Sequence, residues 1–128
     1  MKQMSQFAVG IAFSAGGLSP LIDLLENASC HKDMCFIVVP HLSRDHESQL
    51  PKLLQKFSDM TVTRIQDGMK VQDCRLMVLP EGSYAYLEND VIRLKPRPKS
   101  PTNQAADVLF ESLAESYGAH AIGVVLSG

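Results

Sequence analysis

The sequence predicts a mainly parallel α/β fold built as one compact unit. Three observations carry that reading. Short apolar runs alternate along the chain with stretches whose apolar residues recur at helical spacing, the pattern of strand–helix–strand crossovers. The runs at 34–39 and 121–126 are apolar throughout instead of alternating, which suits strands covered on both faces. One pair of short runs, separated by the polar Glu88-Asn89-Asp90, reads as an antiparallel hairpin added to the parallel sheet.

Phe7 to Ile11 reads as a short buried strand, and Ser14-Ala15-Gly16-Gly17 as the turn after it. Leu18, Leu21, Ile22 and Leu25 then recur at helical spacing. Ser19-Pro20 suits the start of that helix, with Ser19 capping and Pro20 at the first helical position. Met34 to Val39 is the second strand. Past Pro40-His41 the chain turns polar through Ser43-Arg44-Asp45-His46. Leu50, Leu53, Leu54 and Phe57 mark a second amphipathic helix beginning around Leu50, because Pro51 fits only near a helix start. Thr61 to Ile65 alternates and reads as a strand closed by the Asp67-Gly68 turn. Arg75 to Leu79 is a further strand, ended by Pro80-Glu81-Gly82. The hairpin pairs Tyr84–Leu87 with Val91–Leu94, and Lys95 to Asn103 forms an exposed loop punctuated by Pro96, Pro98 and Pro101. Asn103 is placed to cap a third helix with Val108, Leu109 and Leu113 on its inner face, and Gly118 to end it. Ala121 to Leu126 closes the chain as a buried-type strand, followed by Ser127-Gly128.

Length and composition bound what such a molecule does. A chain of 128 residues with 45% hydrophobic and 20% charged residues is the size of one domain with a sizeable core. The net charge of -2 gives no global attraction to nucleic acid or an anionic membrane. No apolar run reaches the length of a membrane span, and direct membrane insertion is not expected. The first residues lack the pattern of a secretory signal, so a cytoplasmic location is expected. Cys30, Cys35 and Cys74 are an odd set with no CxxC spacing, which points to reduced thiols instead of a disulfide framework. Cys30-His31 with Cys35 matches no standard zinc spacing, and no metal is expected.

In parallel α/β sheets, ligands bind at the carboxyl ends of the strands. Ser14 follows the first strand and His41 the second, so both fall at that edge. Gly16 and Gly17 allow a sharp turn, and the helix behind them aims unpaired N–H groups and its positive end at the same place. That environment favours an oxyanion beside a serine, and a neutral histidine could take the hydroxyl proton. On these residues alone Ser14 stays open between a nucleophile and a structural or ligand-binding turn residue. The spacing is not GxSxG, and GxxxxGK and GxGxxG are absent, so neither an α/β-hydrolase elbow nor a standard phosphate loop is indicated. Lys95, Arg97 and Lys99 make the proline-rich loop basic, which fits either a plain solvated loop or the border of a groove that steers an acidic partner.

The ordered landmarks resemble a family. Gly10-Ile11-Ala12-Phe13-Ser14-Ala15-Gly16-Gly17 resembles the G-I-G-A-S-[AT]-G-G segment of CheB-type chemotaxis methylesterases. Phe36-Ile37-Val38-Val39-Pro40-His41-Leu42-Ser43, with Asp45-His46, is similar to their V-V-V-Q-H-L-S-P-D-H segment. Asp67-Gly68-Met69 with Val71, and Val78-Leu79-Pro80 with Gly82, match later landmarks. So do Asp107-Val108-Leu109-Phe110, Ser112-Leu113-Ala114 and Ala121 to Gly128. The resemblance implies a three-layer α/β/α sandwich, with residues 1–128 forming a single, partial methylesterase domain that is incomplete at its C-terminal side and has no receiver domain. It implies hydrolysis of glutamate methyl esters, and deamidation of some glutamines, on chemoreceptors in bacterial sensory adaptation. Ser14 would be the nucleophile and His41 the acid/base, with Ala15 in an oxyanion-forming turn that also holds Gly16 and Gly17. No cofactor is implied. The partner would be a methylated chemoreceptor.

Three departures from the family pattern bear on activity. The family's orienting aspartate follows the L-[ST]-G segment, and so is expected beyond Gly128; Asp23, Asp45 and Asp67 occupy other positions. Phe13 and Ala12 replace smaller residues beside the serine. Pro40 replaces a glutamine and removes an N–H donor. The alternative to an esterase is therefore a catalytically silent binding module of the same fold, or an inactive fragment. The last apolar strand would lack cover on one side, which leads to an expectation of homo-oligomers formed through it.

Overall fold

The computed structural model describes residues 6–28, 33–40, 49–100 and 102–127. The first apolar run forms β1 (Phe7–Phe13), two residues longer than its sequence signal. It pairs in parallel with β2 (Met34–Pro40) on one side and β8 (Ala121–Leu126) on the other. β5 (Arg75–Val78) and β3 (Thr61–Arg64) extend the sheet beyond β2, giving the order β3-β5-β2-β1-β8 with every pairing parallel. A second sheet is antiparallel. In it β7 (Val91–Pro96) lies between β6 (Ser83–Glu88) and the two-residue β4 (Met69–Lys70). β4 carries no sequence signal of its own, being too short to show alternation. The hairpin is longer than expected and its turn is tighter, closing on Asn89-Asp90 with Asn89 at φ 57°, a conformation asparagine tolerates better than most residues.

The parallel sheet is covered on both faces, which makes a three-layer α/β/α sandwich. α1 (Leu18–Asn27) and α2 (Leu50–Gln55) lie on one face, where Leu21, Leu25, Leu50 and Leu54 pack on Val9, Ile11, Phe13, Phe36 and Val38. α3 (Ala105–Tyr117) and the antiparallel sheet cover the other, where Leu109, Leu113 and Leu87 pack on Ala8, Ala12, Ile37 and Val39. Successive residues of β1 and β2 thus serve opposite cores, which is why those strands are apolar throughout.

Two glycines set how closely α3 approaches. Gly10 and Gly123 are register partners on β1 and β8, and a Cβ on Gly10 would come within 2.7 Å of Leu113 Cδ1 and 2.8 Å of Phe110 Cε1. Phe110 also covers Gly123, its ring 3.4 Å from where that Cβ would stand. The helix is joined to the hairpin by a buried hydroxyl. Ser112 Oγ accepts the Leu87 N–H at 2.9 Å and donates to the Leu109 carbonyl at 2.8 Å.

Helix starts and cysteines depart from the sequence reading. α1 begins at Leu18 with Gly17 as its cap, because a single 3-10 turn (Ala15–Gly17) runs straight into it. Ser19 is therefore inside the helix and does not cap it. Pro20 sits third in the helix, where its missing N–H would have had no intrahelical acceptor. α3 begins after Gln104, and Asn103 still serves it, its Oδ1 accepting the Ala105 N–H at 3.0 Å. Phe57 lies beyond the end of α2. Cys35 is a free, buried thiol, as expected, but Cys74 is disulfide-bonded; spacing along the chain does not register cysteines that meet across loops. β8 is an edge strand and not a buried one. Val125 is 72% exposed and Ile122 39%, and the strand carries no charge and no proline.

Candidate active site

The carboxyl end of the sheet is built around the residue that follows β1. Ser14 has extended backbone, φ -99° and ψ 179°, and its carbonyl accepts the Gly17 N–H at 2.8 Å to close the 3-10 turn. Its own N–H points at the Leu126 carbonyl, 3.4 Å away at the end of β8. Gly17 rests against the same carbonyl. A Cβ there would stand 2.4 Å from Leu126 O and 3.1 Å from Phe13 Cβ, so the turn seats on β8 only because residue 17 has no side chain. The Gly17 of the sequence motif is thus explained by an approach to protein backbone.

β1 is also where the strand order reverses. The chain moves from β1 to β2 and onward on one side, then returns by α3 to place β8 on the other. Crevices at such a switch point are the common ligand sites of open parallel sheets. A cleft of about 280 Å³ opens there beside Ser14. Ala12, Phe13 and Val39 line it from the sheet, Val125, Leu126 and Ser127 from the end of β8, and Asn103, Ala105 and Ala106 from the start of α3. Ser14, Ser127 and Asn103 are the polar residues among the described ones that line it, and none of those described residues is charged. α1 starts just past the turn, and α3 runs antiparallel to the strands and starts at the cleft rim. Both positive helix ends therefore face the edge that holds Ser14.

The sequence-predicted residues divide as follows. Ser14 lies on the cleft, Gly16 is exposed at the turn, and Gly17 is buried under it. Ala15 contributes its backbone to the 3-10 turn. His41 lies outside the described residues, as do His31, His46 and Asp45; Pro40, which precedes His41, is the register partner of Phe13, which precedes Ser14. His120 is at the opposite edge of the sheet, its ring edge-on to Phe7 at 4.6 Å. Asp67 is occupied on the antiparallel sheet, where it accepts the Leu94 N–H at 2.9 Å and pairs with Arg93. Among the described residues no cluster of histidine, cysteine or acid could hold a metal, and no helix is long and apolar enough to cross a membrane. The sequence reading did not place Asn103, Ala106, Val125 or Ser127 at the site. The signal for Ser127 was present, since parallel pairing brings the end of β8 beside the end of β1.

The strongly shifted titrations lie away from the cleft. Burial, reinforced by the charge of Asp73, pushes the Cys35 thiol from 9.0 up to about 12. Burial foremost, with Cys35, Asp90 and Asp73 adding to it, also raises Tyr117, whose buried hydroxyl finds no hydrogen-bond partner among the described residues.

Fold and cleft together define a parallel α/β sandwich with its candidate site at the carboxyl edge, on a serine–glycine turn at the switch point. The family model of CheB methylesterase matches residues 9–128, and the chain belongs to that family. It is similar to the protein-glutamate methylesterase/protein-glutamine glutaminase of Treponema denticola, with 27% identity over 127 residues, covering 94% of this chain and 34% of that protein. A protein of the same description from Rhodopseudomonas palustris is 31% identical over 126 residues, again covering 94% of this chain and 34% of the relative. The chain thus spans about a third of the length of these curated relatives. Among solved structures, the CheB methylesterase catalytic domain of Thermotoga maritima superposes with a TM-score of 0.81 at 24% identity, over 97% of this chain and 68% of that one. That likeness bears on the fold.

Proposed function

We propose that this chain is a cytoplasmic protein-glutamate methylesterase domain that acts on methylated chemoreceptors through Ser14. The observation that carries the reading is the position of Ser14, at the carboxyl end of β1 on a cleft whose described lining residues carry no charge, in a chain that belongs to the CheB methylesterase family. An apolar pocket with few polar groups suits a neutral ester side chain better than a carboxylate, whose burial without a partner is costly.

In this reading Ser14 Oγ attacks the ester carbonyl while His41 takes its proton. The tetrahedral oxyanion forms against the Ala15 turn and the positive end of α1. Collapse expels the methoxy group, which takes the proton from His41 and leaves as methanol. Water, deprotonated by His41, then hydrolyses the acyl-serine and releases the glutamate carboxylate. His41 enters on family pattern and on its place in sequence after Pro40, next to the register partner of Phe13. Residues 1–128 serve as one domain in this reading. The glutamine deamidation named for the relatives would use the same attack, with ammonia as the leaving group.

The test is methanol release from a chemoreceptor carrying glutamate methyl esters. Ser14→Ala and His41→Ala should each lower the rate by roughly 10³-fold or more. Turnover that survives Ser14→Ala overturns the nucleophile assignment. Receptor binding with no turnover, even in a chain extended to include the family's aspartate, would favour a silent binding module instead.

A further inference from the structure

Residues 91–106 contain four cations, Arg93, Lys95, Arg97 and Lys99, and no acid, in a chain whose net charge is -2. Arg93 is neutralised where it stands, with Glu88 at 3.0 Å and Asp67 at 3.7 Å. The excess charge therefore falls at the other end of β7 and just past it. Lys95 and Lys99 are exposed, and the Lys95 ammonium lies 5.5 Å over the Tyr86 ring.

This segment is fixed against the protein. The Arg97 N–H donates to the Gly82 carbonyl at 2.9 Å. It is also tied to the rim of the Ser14 cleft. Lys95 is the register partner of Tyr84, and the Tyr84 hydroxyl accepts the Gln104 N–H at 2.9 Å. Gln104 stands between Asn103 and Ala105, which both line the cleft. One tyrosine side chain thus spans from the ladder position of Lys95 to the cleft rim. Of the acids near this edge, Glu81 is paired with Arg64, and Asp107 lies in the first turn of α3.

We propose that Lys95 and Lys99 form a cationic docking strip for carboxylates that flank the esterified glutamate of a protein substrate. The proposal rests on the esterase reading and adds to it a second point of recognition. Every ester hydrolysed leaves a carboxylate, so a substrate with several such sites grows more anionic as the reaction proceeds. The cleft receives the neutral ester while the strip takes the neighbouring anions. Hydrolysis at one site then strengthens docking for the next.

The test uses a helical peptide with one glutamate methyl ester, flanked by glutamates in one version and by glutamines in the other. Binding is measured by fluorescence anisotropy on the Ser14→Ala chain, so docking is read separately from turnover. Two exposed charges should make the glutamate-flanked peptide bind about fivefold tighter at low salt, and added salt should erase the difference. In Lys95→Gln/Lys99→Gln the ratio should fall to about one, and in Lys95→Glu/Lys99→Glu it should invert. Because the ratio compares two peptides on one protein preparation, a general loss of folded protein cancels from it. A preference for glutamate flanks that persists in the neutralised variant overturns the strip. So does a variant that loses binding to phosphatidylserine vesicles but keeps its peptide preference, since the lysines would then face a membrane. Absence of methanol release even from a chain extended to include the family's aspartate, with the binding ratio intact, would count against the esterase reading and leave the strip standing.

Discussion

Gly17 occupies a position where a methyl group has no room. Its backbone is ordinary, φ -90° and ψ -1°, so the constraint is contact and not conformation. Gly17→Ala would drive a Cβ into the Leu126 carbonyl, 2.4 Å away, and the backbone on both sides must part. The expected result is a loss of about 1–3 kcal/mol in urea denaturation, and, with Ser14 acting as proposed, a fall in methanol release larger than that loss explains, as the Ser14 turn leaves β8. Activity that is unchanged in this variant would mean the turn does not need its seat on β8. At this scale the sequence was informative about chemistry and poor about contact. Ser14 stood out because a strand, a serine and two glycines are consecutive in the chain. The carbonyl that Gly17 must avoid belongs to Leu126, which no local pattern connects to it. Asn103 was legible as a helix cap, but its place on the cleft depends on how α3 crosses the sheet.

Among the elements, α3 links the two sheets and forms one wall of the cleft. Its fit depends on the paired glycines beneath Phe110 and on the hydroxyl of Ser112. Ser112→Ala leaves the buried Leu87 N–H without its acceptor, and should cost about 1–3 kcal/mol. Hydrogen exchange should show the Leu87 amide losing protection first, and a variant as stable as the original would remove this hydroxyl from the account. Most elements were legible from periodicity, because the strands that serve two cores are apolar throughout and the helices that serve one are amphipathic. The exceptions have local causes. Ser19-Pro20 looks like a helix start, but the preceding 3-10 turn already supplies helical geometry from Leu18. β8 has the composition of a central strand and stands at the edge, and composition does not encode the position of a strand in its sheet.

For the whole molecule, the buried acids on the α3 side set the response to alkali. Cys35 titrates near 9.0 when exposed and near 12 in the fold, so above about pH 9 the unfolded chain releases a proton that the folded chain retains. Stability is therefore fully present below that pH and declines as pH rises towards the folded value, at about 1.4 kcal/mol per pH unit. Tyr117, raised in the same direction, adds a second decline above about pH 10, the ordinary tyrosine value. Urea titrations across this range should show both limbs, and Cys35→Ala should abolish the first. A flat stability profile from neutrality to about pH 10 would rule the mechanism out.

The pairing of β1 with β8 has a further consequence, for the time course of synthesis. Ala8 is the register partner of Ala121, so β1 is made well before the strand that pairs with its second flank. Until then β1 offers a ribosome-bound chain one open flank, and the serine turn has no carbonyl to rest on. Pairings between such distant segments form slowly. The emerging chain must therefore hold β1 with one flank unpaired until β8 has been made and the serine turn can seat, which gives chaperones an interval in which to engage it.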